Sequence, residues 1–382
     1  MKNCDGLNYQ IIDTISGLED ITRSLKNEKT IAVDLEADSM FHFKEKVCLI
    51  QIAAKRINVV IDTLQIKDLS LLKPFFANRD IKKIFHGADY DVRSLYRDFN
   101  IKINNLFDTQ LACMFLGING TGLDAVLQQR FNVKLDKRFQ KKDWSKRPLP
   151  DEMIKYAACD AIHLLPLAAI LEKELAEKGR LPWVYEECAI LSKVRPPALN
   201  SDPLYLKFKG AGRLSRRQLA VLEYLLQSRR KIAKKKDKPL FKVFSNNSMI
   251  KLAEAQPVNL QRLKKTNTLS AGQIDMYGNV LVEAINKALN ITENKLPVYP
   301  RTKAPFKKPE VVERIESLTS WRDKKAEILE INPSLVLTKT MINTIAVSNP
   351  LDKSDIERIK ELKNWQKEEF GEDITGVLRK VK

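Results

Sequence analysis

The feature that most constrains this chain is a series of short apolar runs separated by helical stretches in its first half. Thr30-Ile31-Ala32-Val33-Asp34, Val47-Cys48-Leu49-Ile50-Gln51-Ile52 and Asn58-Val59-Val60-Ile61 are brief and rich in β-branched residues, so they read as buried neighbouring strands. Lys83-Ile84-Phe85-His86 and Asn105-Leu106-Phe107-Asp108 read the same way. Leu69 to Phe76, Ala88 to Phe99 and most of Thr109 to Leu175 are helical in period, with an interruption from Lys134 to Pro150. Such alternation specifies an α/β domain, placed here at residues 1–195.

Pro196-Pro197 cannot continue a helix, so residues 196–212 are expected to form a linker. Residues 213–292 return to helical period, with Ser215 as an N-cap and Leu219, Leu222, Leu225 and Leu226 on one apolar face. Pro297, Pro300, Pro305 and Pro309 mark a second linker at 293–309. Residues 310–382 form another helical unit, with Trp321, Ile328, Leu335, Ile345 and Trp365 as core candidates. The layout is one α/β domain followed by two small all-α bundles.

The net charge of +18 is unevenly spread. Residues 201–300 hold 19 basic against 7 acidic residues, an excess of +12, while the segments on either side each carry +3. A solvated surface interleaves both signs, so this block favours a polyanion partner. No run of ~18 apolar residues suggests a membrane span. The N-terminus lacks a signal-peptide pattern, which makes the cytoplasm the expected compartment. Five dispersed cysteines suit reduced thiols rather than a disulfide framework or thiolate zinc site. With only three histidines, metal chemistry would rest on carboxylates and hard ions such as Mg²⁺ or Mn²⁺.

Three acidic segments carry the chemistry. In Asp34-Leu35-Glu36 the i, i+2 spacing puts both carboxylates on one face of a strand end. Like charges there repel unless a cation binds between them, or unless the strand end simply reaches solvent. Tyr156-Ala157-Ala158-Cys159-Asp160 places a phenol and a carboxylate one helical turn apart. In His86-Gly87-Ala88-Asp89-Tyr90-Asp91, either acid could cap the following helix or reach an ion at the strand ends. Each motif is weak alone; their order is specific.

In that order the chain resembles the 3′→5′ exonucleases with four acidic residues and a third-motif tyrosine, and within them the ribonuclease D family. Val33-Asp34-Leu35-Glu36-Ala37-Asp38, Cys48-Leu49-Ile50-Gln51-Ile52, Phe85-His86-Gly87-Ala88-Asp89-Tyr90-Asp91-Val92, Leu106-Phe107-Asp108-Thr109-Gln110-Leu111-Ala112, Asp143-Trp144-Ser145-Lys146-Arg147-Pro148-Leu149 and Tyr156 to Asp160 carry the likeness, across roughly residues 8–195. The resemblance implies an RNase H-like α/β exonuclease domain, a mixed sheet flanked by helices, with two divalent ions. It places Asp34, Glu36 and Asp160 on the nucleophile-side ion, Asp34 bridging to the second, and Asp91 behind that through water. Tyr156 would position the attacking water. Asp91 is preferred because the family's acid falls five residues after this histidine, with Asp89 the rival. Asp108 reads as structural, a cap for the helix that follows.

Residues 213–290 resemble the helicase-and-RNase-D C-terminal (HRDC) bundle, with 310–378 a degenerate second copy. Candidate RNA contacts are Met40, Phe41 and Phe43 after the first motif, His86, the Lys146-Arg147 pair, and Arg229-Arg230 in the basic block. Trp144 could stack on a base or belong to the core. The implied activity is exoribonucleolytic trimming of 3′ ends, with tRNA precursors as the usual substrate and a monomer as the default state. A DNA exonuclease and a non-catalytic RNA-binding scaffold are the alternatives. The four acids and Tyr156 argue against the scaffold, and 2′-OH contacts would separate RNA from DNA.

Overall fold

A computed structural model describes residues 8–135, 137–197, 202–300 and 308–381. The N-terminal segment 1–7 and the hearts of the two expected linkers, 198–201 and 301–307, lie outside the described residues.

The apolar runs become strands of one six-stranded sheet: β1 (Gln10–Ile12), β2 (Thr30–Ala37), β3 (Val47–Ala53), β4 (Asn58–Asp62), β5 (Lys82–Phe85) and β6 (Leu106–Asp108). Their order is β1-β4-β3-β2-β5-β6. β2, β3 and β4 form an antiparallel meander, and β1, β5 and β6 add in parallel, so the sheet is mixed. All of β3 is buried, because helices cover both faces at the sheet's centre. β1 was not anticipated from sequence; with three residues and one buried side chain it has too little pattern to detect.

The chain divides into two compact units. The first holds the described parts of 1–37, 47–196 and 306–382. The C-terminal helices therefore share a hydrophobic core with the sheet domain rather than standing apart. Trp365 stacks on Trp183 at 4.8 Å between ring centroids and meets Phe115 edge-on at 5.5 Å. Glu186 accepts from the backbone N–H groups of Asn364 and Trp365, both at 2.9 Å, and so caps the helix Asn364–Leu378 across this contact. Of the core candidates in this region, Ile345 and Trp365 are buried, and Trp321 and Leu335 are half-buried. Ile328 is 76 % exposed instead. On the helix Pro309–Leu329 the inward stripe runs through Val311, Ile315, Leu318, Ala326 and Leu329, and Ile328 falls off it.

The second unit comprises residues 38–46 and the described part of 197–305. Its long helices Arg216–Lys236 and Ala271–Leu289 both begin with a Ser/Gln capping box, at Ser215/Gln218 and Ser270/Gln273. Residues 202–212, expected as a plain linker, form two short 3-10 turns, with Tyr205 and Ala211 buried in this unit's core. The loop 38–46 belongs here too: Asp237 accepts from Phe43 N–H at 3.1 Å and lies 2.7 Å from His42 Nδ1.

Among the described residues one helical run, Asp151–Glu177, is long and apolar enough to cross a membrane. It breaks at His163 into Asp151–Ile162, which packs on β2, β3 and β4, and Leu164–Glu177, which packs on the helix Thr109–Leu116 and on β2 and β5. Cys113 and Cys188 are buried thiols and Cys48 is buried on β3, but Cys159 is disulfide-bonded. The expectation of uniformly reduced thiols fails there, because sequence spacing does not report which sulfurs a fold brings together.

Candidate active site

The site is built where β2 outruns one of its partners. β5 pairs with β2 only from Thr30 to Ala32, while β3 follows it to Ala37. Asp34 and Glu36 therefore project from a half-uncovered strand end, beside a bulge at Glu36/Ala37. β5 instead turns at His86-Gly87 into the helix Asp89–Phe99. Gly87 holds φ +74, and a Cβ there would sit 3.0 Å from Gln110 Oε1, so glycine is required for the turn. Asp91 then lies in the helix's first turn, buried, with Asp34 and Asp108 as its charged neighbours.

Helix Asp151–Ile162 crosses the same face of the sheet and delivers Tyr156 and Asp160. Carboxylate oxygens of Asp34, Glu36 and Asp160 all lie within 4.8 Å of one another. Oxygens from three acids at that spacing can chelate one hard cation. Asp160 Oδ1 is buried with no hydrogen-bond partner among the described residues, so one ligand position is already unspent. Burial raises the Asp34 carboxyl to about 6. It also holds Glu36, Asp91 and Asp160 well above the usual carboxylate range, with Asp34's charge adding to the rise in each. This is the electrostatic signature of a cluster lacking its counter-charge.

Tyr156 donates its phenolic O–H to Asp160, and burial beside these acids pushes its pKa far up. It stays a neutral phenol at physiological pH. Trp144 stacks against it at 6.1 Å and Phe139 tilts against it at 5.7 Å.

The two candidate acids of the second segment are placed differently. Asp89 is exposed and bonded to Arg93 Nε at 2.8 Å, which holds its pKa low. Asp91 faces the cluster. Asp108 accepts from the backbone N–H groups of Gly87, Ala88, Gln110 and Leu111, tying the β5 turn to the helix Thr109–Leu116.

Several candidate RNA contacts are occupied otherwise. Trp144 is 1 % exposed and offers no face to a base; it backs Tyr156. Arg147 grips Asp62 through two nitrogens at 2.6 and 2.7 Å, so its charge is spent inside the domain. Arg229 is buried and donates to the Phe244 carbonyl and to Asn246 Oδ1. At i, i+1 only one of Arg229 and Arg230 can face outward, and it is Arg230. Lys146 and Met40 are exposed. His86 is half-buried, with Nδ1 2.9 Å from Thr109 Oγ1, and burial lowers its pKa, so it carries no charge for a phosphate at neutral pH.

In the second unit Arg230, Lys231 and Lys234 line a groove of about 760 Å³ with Lys44, Phe43 and Tyr224. Sequence reading missed Lys44 and Tyr224 as members, since the docking of the loop 38–46 that assembles them leaves no local pattern.

Residues 9–176 match the 3′–5′ exonuclease family, and residues 218–285 and 312–378 each match the HRDC domain. Ribonuclease D of Bartonella henselae is 27 % identical over 99 % of this chain and 92 % of its own length. The chain belongs to the ribonuclease D family of 3′–5′ exonucleases. Membership makes it a phosphodiester hydrolase of the exoribonuclease class. The crystal structure of Escherichia coli RNase D superposes with a TM-score of 0.73 at 25 % identity, covering 98 % of this chain and 99 % of that one. Human exosome complex component 10 is 32 % identical over 64 % of this chain, which spans only 29 % of that longer protein.

Proposed function

We propose that this protein hydrolyses RNA from its 3′ end to nucleoside 5′-monophosphates, using two divalent ions, Mg²⁺ or Mn²⁺, held by Asp34, Glu36, Asp91 and Asp160. The observation that carries the reading is the convergence of Asp34, Glu36 and Asp160 with the Tyr156 phenol bonded to the last of them. When bound, the ions would neutralise the developing phosphorane charge and lower the pKa of the attacking water. Asp34, Glu36 and Asp160 would hold one ion, and Asp34 and Asp91 the other. Tyr156, whose pKa burial and the neighbouring acids push up, donates to Asp160 and would orient water through its oxygen. Trp144 and Phe139 keep the ring in place for that task.

The substrates proposed are tRNA precursors and other structured RNAs with 3′ extensions, handled by a cytoplasmic monomer. Crystalline E. coli RNase D is described as an exoribonuclease involved in structured RNA processing, which supports this class. The exposed cations and half-buried aromatics Phe43 and Tyr224 of the groove in the second unit suit phosphates and unstacked bases of single-stranded RNA.

The test is a side-by-side digestion of 3′-tailed tRNA, single-stranded RNA and single-stranded DNA with Mg²⁺ or Mn²⁺. Mononucleotide release from the tailed tRNA should be fastest, and Asp34→Ala should abolish it while RNA binding persists. Turnover retained in Asp34→Ala would refute the metal assignment, and faster DNA cleavage would refute the substrate.

A further inference from the structure

β3 runs Val-Cys-Leu-Ile-Gln-Ile-Ala, entirely apolar but for Gln51. Gln51 is 0 % exposed, and neither its Nε2 nor its Oε1 has a hydrogen-bond partner among the described residues. A buried polar group left unpaired is destabilising, and a leucine would fill this place without that cost. Register says what the amide could serve. Gln51 pairs with Asp34 on β2 and with Val60 on β4. Directly opposed residues share a sheet face with Cβ atoms about 4.5–5.5 Å apart, so the amide stands beside the Asp34 carboxylate.

Its other neighbours on this face are mainly apolar. Leu49, Val60, Ala157 and Ala158 form the apolar cluster on this face. Asn58, diagonal across β4, turns its Nδ2 to the Ala158 carbonyl at 3.4 Å and leaves its Oδ1 unpaired among the described residues, but it stands a diagonal away, whereas Asp34 is directly opposed. With no exposed surface, Gln51 is out of reach of RNA.

We propose that Gln51 is a positioning residue for the metal centre: with a divalent ion held by Asp34, its Nε2–H donates to the Asp34 carboxylate and fixes that ligand's orientation. The proposal rests on the reading of Asp34 as a metal ligand and is independent of which nucleic acid is cleaved. Loss of a group that orients a metal ligand typically weakens ion affinity ~10–100-fold.

The experiment is calorimetric titration of Mn²⁺ into the full-length protein without RNA, with thermal melts of the ion-free form. Gln51→Leu and the unbranched Gln51→Met should melt at or above the wild-type temperature yet bind Mn²⁺ at least tenfold more weakly. Their kcat should recover at high Mn²⁺ with KM for RNA unchanged. Affinity within twofold of wild type in the variants that fold, or failure of both to fold, overturns the proposal. Asp34→Asn is the reference. If it binds Mn²⁺ like wild type, the metal reading itself fails; if it loses binding while the Gln51 variants keep theirs, only the role of Gln51 falls.

Discussion

Four acids sharing one pocket set this protein's stability against its chemistry. Asp34 titrates near 6 when folded, because burial disfavours its charge, and Glu36, Asp91 and Asp160 titrate higher than ordinary carboxylates. In the unfolded chain all four titrate near ~4. Between those values the native state binds more protons than the unfolded one, so ion-free stability must fall as pH rises. The window opens near pH 4 and, for Asp34, closes above about 6. Melting the ion-free protein from pH 5 to 8 should show the decline. Millimolar Mg²⁺ should reverse it at pH 8, and Asp34→Asn should raise the ion-free melting temperature there. A flat profile in the chelated wild type would mean the cluster is solvated. Tyr156→Phe belongs to the same scale: it keeps the packing against Trp144 but deletes the donor to Asp160. It should lower kcat by about 10²-fold while leaving Mn²⁺ affinity within a few-fold, as single-turnover kinetics and calorimetry would read.

The loop and helix ends show which parts of this site could be read in advance. The Asp-x-Glu and Tyr-x-x-x-Asp spacings were legible because a strand repeats every two residues and a helix every 3.6. Asp91 against Asp89 was not legible from spacing alone, since both fit a helix's first turn, and only the family resemblance favoured Asp91. What separates them is Arg93, one turn on from Asp89 and facing outward with it. Arg147 and Arg229 misled in the same way: a cation in a basic stretch looks like a contact until its long-range partners, Asp62 and Phe244, are known, while Trp144, left between base stacker and core, proves to be core against Tyr156. Asp108 was legible as a helix cap, but its second grip on the Gly87 and Ala88 N–H groups was not. Asp108→Ala should therefore cost more than the ~1 kcal/mol of an ordinary cap, about 2–4 kcal/mol in urea unfolding. It should also depress activity by loosening the turn that presents Asp91. A cost at or below 1 kcal/mol would show that the two ends are held independently.

At the scale of the molecule, the two HRDC repeats have parted company. The second carries little of the net charge and is fused to the sheet domain through Trp365, Trp183 and Phe115. The first sits in the basic block and keeps Arg230, Lys231, Lys234, Lys235 and Lys236 exposed. One should act on stability and the other on RNA affinity, and the two effects can be measured on the same protein. Trp365→Ala empties a buried stack and should cost about 3–5 kcal/mol of stability, with the salt dependence of RNA binding unchanged wherever the protein is folded. Reversing Lys231, Lys234 and Lys235 to Glu should leave the melting temperature within a few degrees. Binding to single-stranded RNA then loses up to three phosphate contacts, each worth about 0.7 in the slope of log Kd against log salt, so the slope should flatten by about 2. Titrations of catalytically inert Asp34→Ala protein from 50 to 300 mM NaCl would read it. An unchanged slope would mean that the charge of the first repeat is only a solvated surface, and that RNA is held elsewhere.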